Sequence, residues 1–228
     1  MVTTNERHQI WFTNVRLKMS HLPTSYNKKM TLSVILLSLV TLSTDIRSEL
    51  ITGTDETAQL PFWEWRTDSI SIRLVQRLPD QTRAYFVARG FSKAHAEMIA
   101  QSCVFQTIYK NEAKAGSDLV IQYDLAHWNI ITKNKNHKLK LREEWAGQWE
   151  KQGVSSKAKI AFNWSLLPSQ QTYKAQDYNW GMTLYGLPPA TQFDLLMVWK
   201  ENNKEKTAII KNIQCAPDVH LEPKDPFG

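Results

Sequence analysis

Residues 30–48 read MTLSVILLSLVTLSTDIRS, and this stretch constrains the rest, because it sets the compartment in which the chain folds. Its centre, residues 31–44, is uncharged and apolar apart from serine and threonine, and Lys28 and Lys29 stand directly before it. Ile46 and Ser48 fall at the −3 and −1 positions of a cleavage site. A cationic start, an apolar middle and a small-residue exit are the order of a secretory signal. Crossing a bilayer as a helix takes ~20 residues at about 1.5 Å each, and this run is shorter. A buried core helix is disfavoured too, because the run has no polar face. The expectation is a leader over residues 1–48, with its apolar region at 31–44, and one exported domain over 49–228. That domain would be periplasmic in a bacterium and secreted otherwise. A retained N-terminal anchor is the alternative reading. Met1 and Met19 both offer a start, and residues 1–18 are polar and irregular.

Export decides how the two cysteines are read. Cys103 and Cys215 stand 112 positions apart. A single pair in an oxidising compartment favours one disulfide. A metal pair or two free thiols are the alternatives, without the close spacing of a CxxC motif to support them. Removing the leader leaves 180 residues, enough for one domain with a proper core. The chain is +6 overall, but the leader holds six basic and two acidic residues, so the remainder is only about +2. A nucleic-acid binder concentrates cations in a patch or stripe. The best candidate, residues 133–142 (KNKNHKLKLR), reads instead as a polar loop, 133–137, entering an edge strand guarded by lysines. No nucleic-acid partner and no membrane span in the mature chain are expected.

Alternation of apolar and polar residues dominates the mature chain, which is strand periodicity. Residues 49–60 are polar and read as a mobile lead-in. Ile70, Ile72 and Leu74 alternate, Leu78-Pro79-Asp80-Gln81 reads as a turn, and RAYFVAR at 83–89 reads as a second strand, so residues 69–89 look like a hairpin. Ser92 can cap a short helix over 93–101 with Ala96, Ile99 and Ala100 on its packed face. Further strands are expected from Cys103 to Tyr109, at 119–125, 128–132 and 138–141. Trp145 and Trp149, four apart with Gly153 behind them, mark a second helix over 142–152. Ile160, Phe162, Trp164 and Leu166 then alternate, as do Trp180, Met182 and Leu184, and Phe193, Leu195, Met197 and Trp199. After the Asn202-Asn203 turn, residues 207–215 form the last strand, and a flexible tail begins at about 216.

The fold class is therefore mainly β with two short helices (α+β), antiparallel and sandwich-like. Within it, LPPATQFDLLMV at 187–198 resembles the corner before a late strand in fibronectin type III domains, through Leu187, Pro189, Thr191, Phe193 and Leu195. The resemblance implies immunoglobulin/fibronectin-III-like C-terminal strands. It departs at Phe193, where that fold has a tyrosine whose hydroxyl fixes the corner. It covers about a dozen residues and speaks to the fold, not to the activity.

Catalytic motifs are missing: the sequence has no GxSxG, HExxH or GxxxxGK[ST]. His95-Ala-Glu97 matches half of a zinc deaminase signature whose PCxxC half does not follow. His95 and Met98, at i and i+3, suit copper, with His127 joining from a neighbouring strand and Cys103 too if reduced. Asp124, His127 and Glu143 are scattered residues from which a hydrolase site could be built. Eight of the nine tryptophans lie in the mature chain. Most belong in a core, Trp164 and Trp199 above all. Trp63 and Trp65, two apart on one side of an extended segment, together with Trp180, are the candidates for an exposed aromatic platform; the alternative for the pair is that they lock the N-terminal strand onto the sandwich. The leading expectation is a non-catalytic, cofactor-free accessory or binding protein presenting a β-sandwich surface to a protein or glycan partner. The alternatives are a copper-handling protein and a hydrolase.

Overall fold

The structure is a computed structural model describing residues 48–133 and 135–219, which belong to one compact unit. The leader's apolar region and the chain from His220 onward lie outside the described residues. Two antiparallel sheets form the frame. The first runs β1 (Glu49–Thr54), β2 (Pro61–Arg66), β3 (Ile70–Gln76), β4 (Val104–Asn111) and then β9 (Tyr178–Leu184). The second contains β5 (Ile121–Asp124), β6 (Asn129–Ile131), β7 (Asn136–His137), β8 (Gln170–Tyr173), β10 (Gln192–Glu201) and β11 (Lys204–Gln214). In it β10 is central, pairing with β5, β6 and β11. Helices α1 (Pro79–Val87), α2 (Lys93–Ala100), α3 (Arg142–Lys151) and α4 (Ser156–Ser165) complete the α+β sandwich.

Alternation along the strands builds two cores. Trp65, Ile72, Leu74, Phe105 and Tyr109 face Tyr123, Trp128, Leu195, Met197 and Trp199 between the sheets. The opposite face of the first sheet presents Val104, Met182 and Leu184, and the helices cover these with Phe86, Phe91, Ile99, Trp145, Trp149 and Phe162. The layers are therefore helices, sheet, sheet. The helices cover only one end of the first sheet.

Several local expectations hold. Ser92 Oγ accepts from His95 N, and Ala96, Ile99 and Ala100 are buried. Trp145 and Trp149 stack at 4.9 Å, and Gly153 stops their helix at φ +66°. Cys103 and Cys215 are joined, with Cα atoms 5.3 Å apart, which ties the α2–β4 junction to the end of β11.

Others are corrected. Residues 49–60 are not a loose lead-in, because β1 pairs with β2 along its whole length. The 69–89 hairpin is a strand followed by α1. Pro79 at the first helical position and Asp80 in the first turn start a helix, and Thr82 and Phe86, four apart, bury its inner stripe. Residues 138–141 form no strand, and Lys140 instead places its ammonium 3.4 Å from the Trp145 ring centroid. The alternation at 160–166 is accidental. Ser155 caps α4, whose buried stripe is Ala158, Phe162 and Ser165, so Trp164 points outward. The tail does not loosen at 216, since Ala216 is buried and Asp218 pairs with Arg83 at 2.6 Å.

Gly181 in β9 lies where the chain leaving α4 crosses the sheet edge. A Cβ there would stand 2.3 Å from the Leu167 nitrogen, which is backbone and cannot yield. Gly181→Ala is expected to cost about 1–3 kcal/mol or more, the range for overpacking. Gly147→Ala in α3, with open space around it, is expected to gain ~0.5–1 kcal/mol. Urea unfolding of the two variants checks both signs.

Candidate functional site

β9 is the edge strand of the first sheet, and it is half covered. Its outward side chains are Tyr178, Trp180, Met182 and Leu184, opposite Lys110, Ile108, Gln106 and Val104 of β4. α4 ends at Ser165, and Leu166 then bridges to Met182, with Leu167 N donating to Met182 O at 2.9 Å. The helical layer therefore seals Met182 and Leu184 and stops. Beyond it Trp180 is 68% exposed and Tyr178 61% exposed, with Ile108 beside Trp180 also exposed. α4 adds Ile160 and Trp164 on its outer side, Trp164 at 87% exposure.

The backbone at this place is open as well. In an antiparallel strand both main-chain polar groups of a residue point to the same side. Met182 O meets Leu167 on the side away from β4, so Trp180 and Tyr178, of the same parity, direct their amide and carbonyl to that side too. Among the described residues no backbone hydrogen bond reaches them there. An unpaired edge beside exposed aromatics is the arrangement to which an extended chain adds as a further strand.

Trp63 and Trp65 do not share this surface, which corrects the platform expectation for that pair. They are only 9% and 7% exposed, because odd positions of β2 face the second sheet. Trp63 Nε1 donates to Asn212 O at 3.1 Å, and Trp65 packs edge-to-face on Trp199 at 5.5 Å. Of the three platform candidates only Trp180 is on the surface. The segment Asp177-Tyr178-Asn179-Trp180 offers its aromatics from sequence, and both Tyr178 and Trp180 are exposed, whereas Ile108 and Trp164 were missed. The signal for Trp164 was the Ile160/Trp164 pair four apart, opposite Ala158 and Phe162.

The copper candidates are not assembled. His95 packs its ring 5.7 Å from that of Trp149, and Met98 Sδ accepts from Gln148 Nε2 at 3.9 Å, both in the helical layer. His127 lies beyond the other sheet, its Nδ1 3.9 Å from Asp124 Oδ2. Cys103 is spent in the disulfide. Among the described residues no three His, Cys, Asp or Glu side chains are grouped to hold a metal ion.

Of the hydrolase candidates, Asp124 and His127 border a concavity of about 880 Å³ on the outer face of the second sheet, with Gln122, Gln170, Lys200 and Glu205. Asp124 accepts from Ala126 N and from Gln170 Nε2. Glu143 is engaged elsewhere, accepting from Ser169 Oγ at 2.7 Å. Burial alone would raise its pKa, but the hydrogen bonds from Ser169 and Arg142 outweigh this and hold the carboxyl below its usual range. It is therefore an ion already satisfied, poorly suited to accepting a proton.

No helix among the described residues is long and apolar enough to cross a membrane. Comparison of the chain with protein-family models, with curated proteins and with solved structures finds no match.

Proposed function

We propose that this is an exported, non-catalytic binding protein that takes its partner on the open half of the first sheet, along Tyr178, Trp180 and Ile108. One observation carries the reading: two large aromatic side chains stand more than half exposed on a strand whose backbone edge is also unpaired. Clustered exposed apolar groups are rarely idle. Aromatic rings suit either a sugar or a polypeptide. The open edge favours a polypeptide, because main-chain hydrogen bonds would supply affinity and the rings specificity. Export follows from the leader's residue order, and a mature chain starting at Glu49 keeps β1 whole. Mass spectrometry of exported protein should find an N-terminus between Thr44 and Ile51.

Trp180→Ala and Tyr178→Ala are expected to change stability by less than about 1 kcal/mol, as surface positions do. A photo-crosslinking amino acid at position 180, in the producing cell, should capture a defined adduct. Lys204, remote on the second sheet, serves as control. Equal labelling at the two positions, or none at 180, would overturn the reading.

A further inference from the structure

Six arginines lie among the described residues. Four of them, Arg66, Arg73, Arg83 and Arg142, hold a carboxylate within 3.0 Å. The other two, Arg77 and Arg89, have no carboxylate partner among the described residues, and both stand against one tyrosine. The Arg77 guanidinium carbon is 4.8 Å from the Tyr85 ring centroid, and that of Arg89 is 3.3 Å from it. Chance scatter of surface cations does not explain why the two unpaired guanidinium groups share a ring.

The framework around them is fixed. Arg77 follows β3, and its backbone nitrogen donates to Val104 O at 3.1 Å. Arg89 follows α1 and donates through Nη1 to Tyr85 O at 3.1 Å, which occupies one of its donors. Ser165 Oγ donates to Ala161 O, so the Tyr85 hydroxyl must donate to Ser165 Oγ, 2.9 Å away, and the ring is held at its far end. Arg77 Nε is buried without a partner, and so is Gln106 Nε2 on the same face of the sheet. A half-buried cation without a counter-ion is costly, and a second cation nearby adds to the cost. Burial pushes the Arg77 pKa down, Tyr85 opposes this, and the charge of Arg89 adds to the lowering.

We infer that Arg77 and Arg89, spaced by Tyr85, form a binding site for an oxyanion, the carboxylate or phosphate group of a ligand. The guanidinium fork matches two oxygens of such a group, and charge-assisted hydrogen bonds are about twice as strong as neutral ones. The bound anion would supply Arg77 and Arg89 with the counter-charge they lack and cancel the repulsion between them. This inference does not rest on the aromatic face, although Gln106 is two residues from Ile108, and Ser165 follows Trp164.

The test is titration of the exported chain with inorganic phosphate and, separately, with acetate, at constant ionic strength set by chloride. It is followed by the side-chain Nε–Hε resonances of Arg77 and Arg89 and by the melting temperature. Saturable shifts at both resonances are expected, with a rise in melting temperature that Arg77→Gln and Arg89→Gln each abolish, weakening binding at least tenfold. Tighter phosphate than acetate binding assigns a phosphate ligand, and the reverse a carboxylate. Arg77→Lys should keep part of the charge effect and lose the preference between the two anions. Shifts that never saturate for either anion, or binding unchanged in Arg77→Gln and Arg89→Gln, would overturn the site. Without anion, Arg77→Gln loses only the contact with the Tyr85 ring, so its melting temperature should change little, which an arginine held in an ion pair would not allow.

Discussion

Replacing Cys103 with serine is expected to lower stability by about 3–5 kcal/mol, from the entropy that closing so long a loop removes from the unfolded chain. The bridged residues are 112 apart, and both are buried, Cys215 fully. The loop closed by the bridge includes α3, α4, the whole second sheet, and β4 and β9 of the first. Cys103 also holds φ +50°, a backbone region that residues with side chains rarely adopt. Serine keeps that cost and loses the bond that offsets it. Urea unfolding of Cys103→Ser, and of the native chain with and without reductant, should give matching losses. A reduced chain as stable as the oxidised one would refute the role assigned to the bridge.

Trp63→Ala and Trp65→Ala are each expected to cost about 3–5 kcal/mol, the usual penalty for emptying a large aromatic site in a core. Trp63 would also leave the Asn212 carbonyl without its donor, and Trp65 would open a gap against Trp199. The contrast with Trp180→Ala, less than about 1 kcal/mol, is the informative part. All three tryptophans lie on alternating strands of the same sheet, and only what lies opposite them differs. Thermal and urea unfolding of the three single variants measures the contrast directly. Equal losses at positions 65 and 180 would mean that Trp180 is covered, and would remove the ground for the proposed binding face.

Local signals in the chain were legible where short-range chemistry decides. The cap at Ser92, the glycine stop at Gly153 and the Asn202-Asn203 turn, with φ of +45° and +67°, each reflect a conformation that few residues favour. The alternation of β10 was plain because each inward residue is large and apolar and its neighbours are not. Two stretches misled for a definable reason. RAYFVAR and the 160–166 segment carry enough apolar residues to satisfy both a period of two and a helical stripe. For the first, Pro79 before an acidic residue was a helix start that also reads as a turn. For the second, Ser155 three residues before Ala158 was the cap that decided the matter.

The candidate site was less legible, and the tryptophans show why. Trp164 sits in a faultless alternation and is on the surface, whereas Trp63 and Trp65 sit in a segment suited to a platform and are buried. Nothing near Arg77 or Arg89 in the chain marks them as a pair. They are 12 positions apart, and only the turn from β3 into α1 brings both to Tyr85.

By itself the sequence determined the β-rich class, the two helices with clear caps or stops, and the cysteine pair that the structure joins. These follow from local conformational preference and from composition, which act through neighbours along the chain. Tertiary structure alone decided which strand faces are covered, where the helical layer ends, and that Tyr178 and Trp180 remain open. Periodicity fixes the direction in which a side chain points, but burial depends on what another segment places opposite it. Here α4 stops at Ser165 and Leu167 closes the edge of β9 only at Met182.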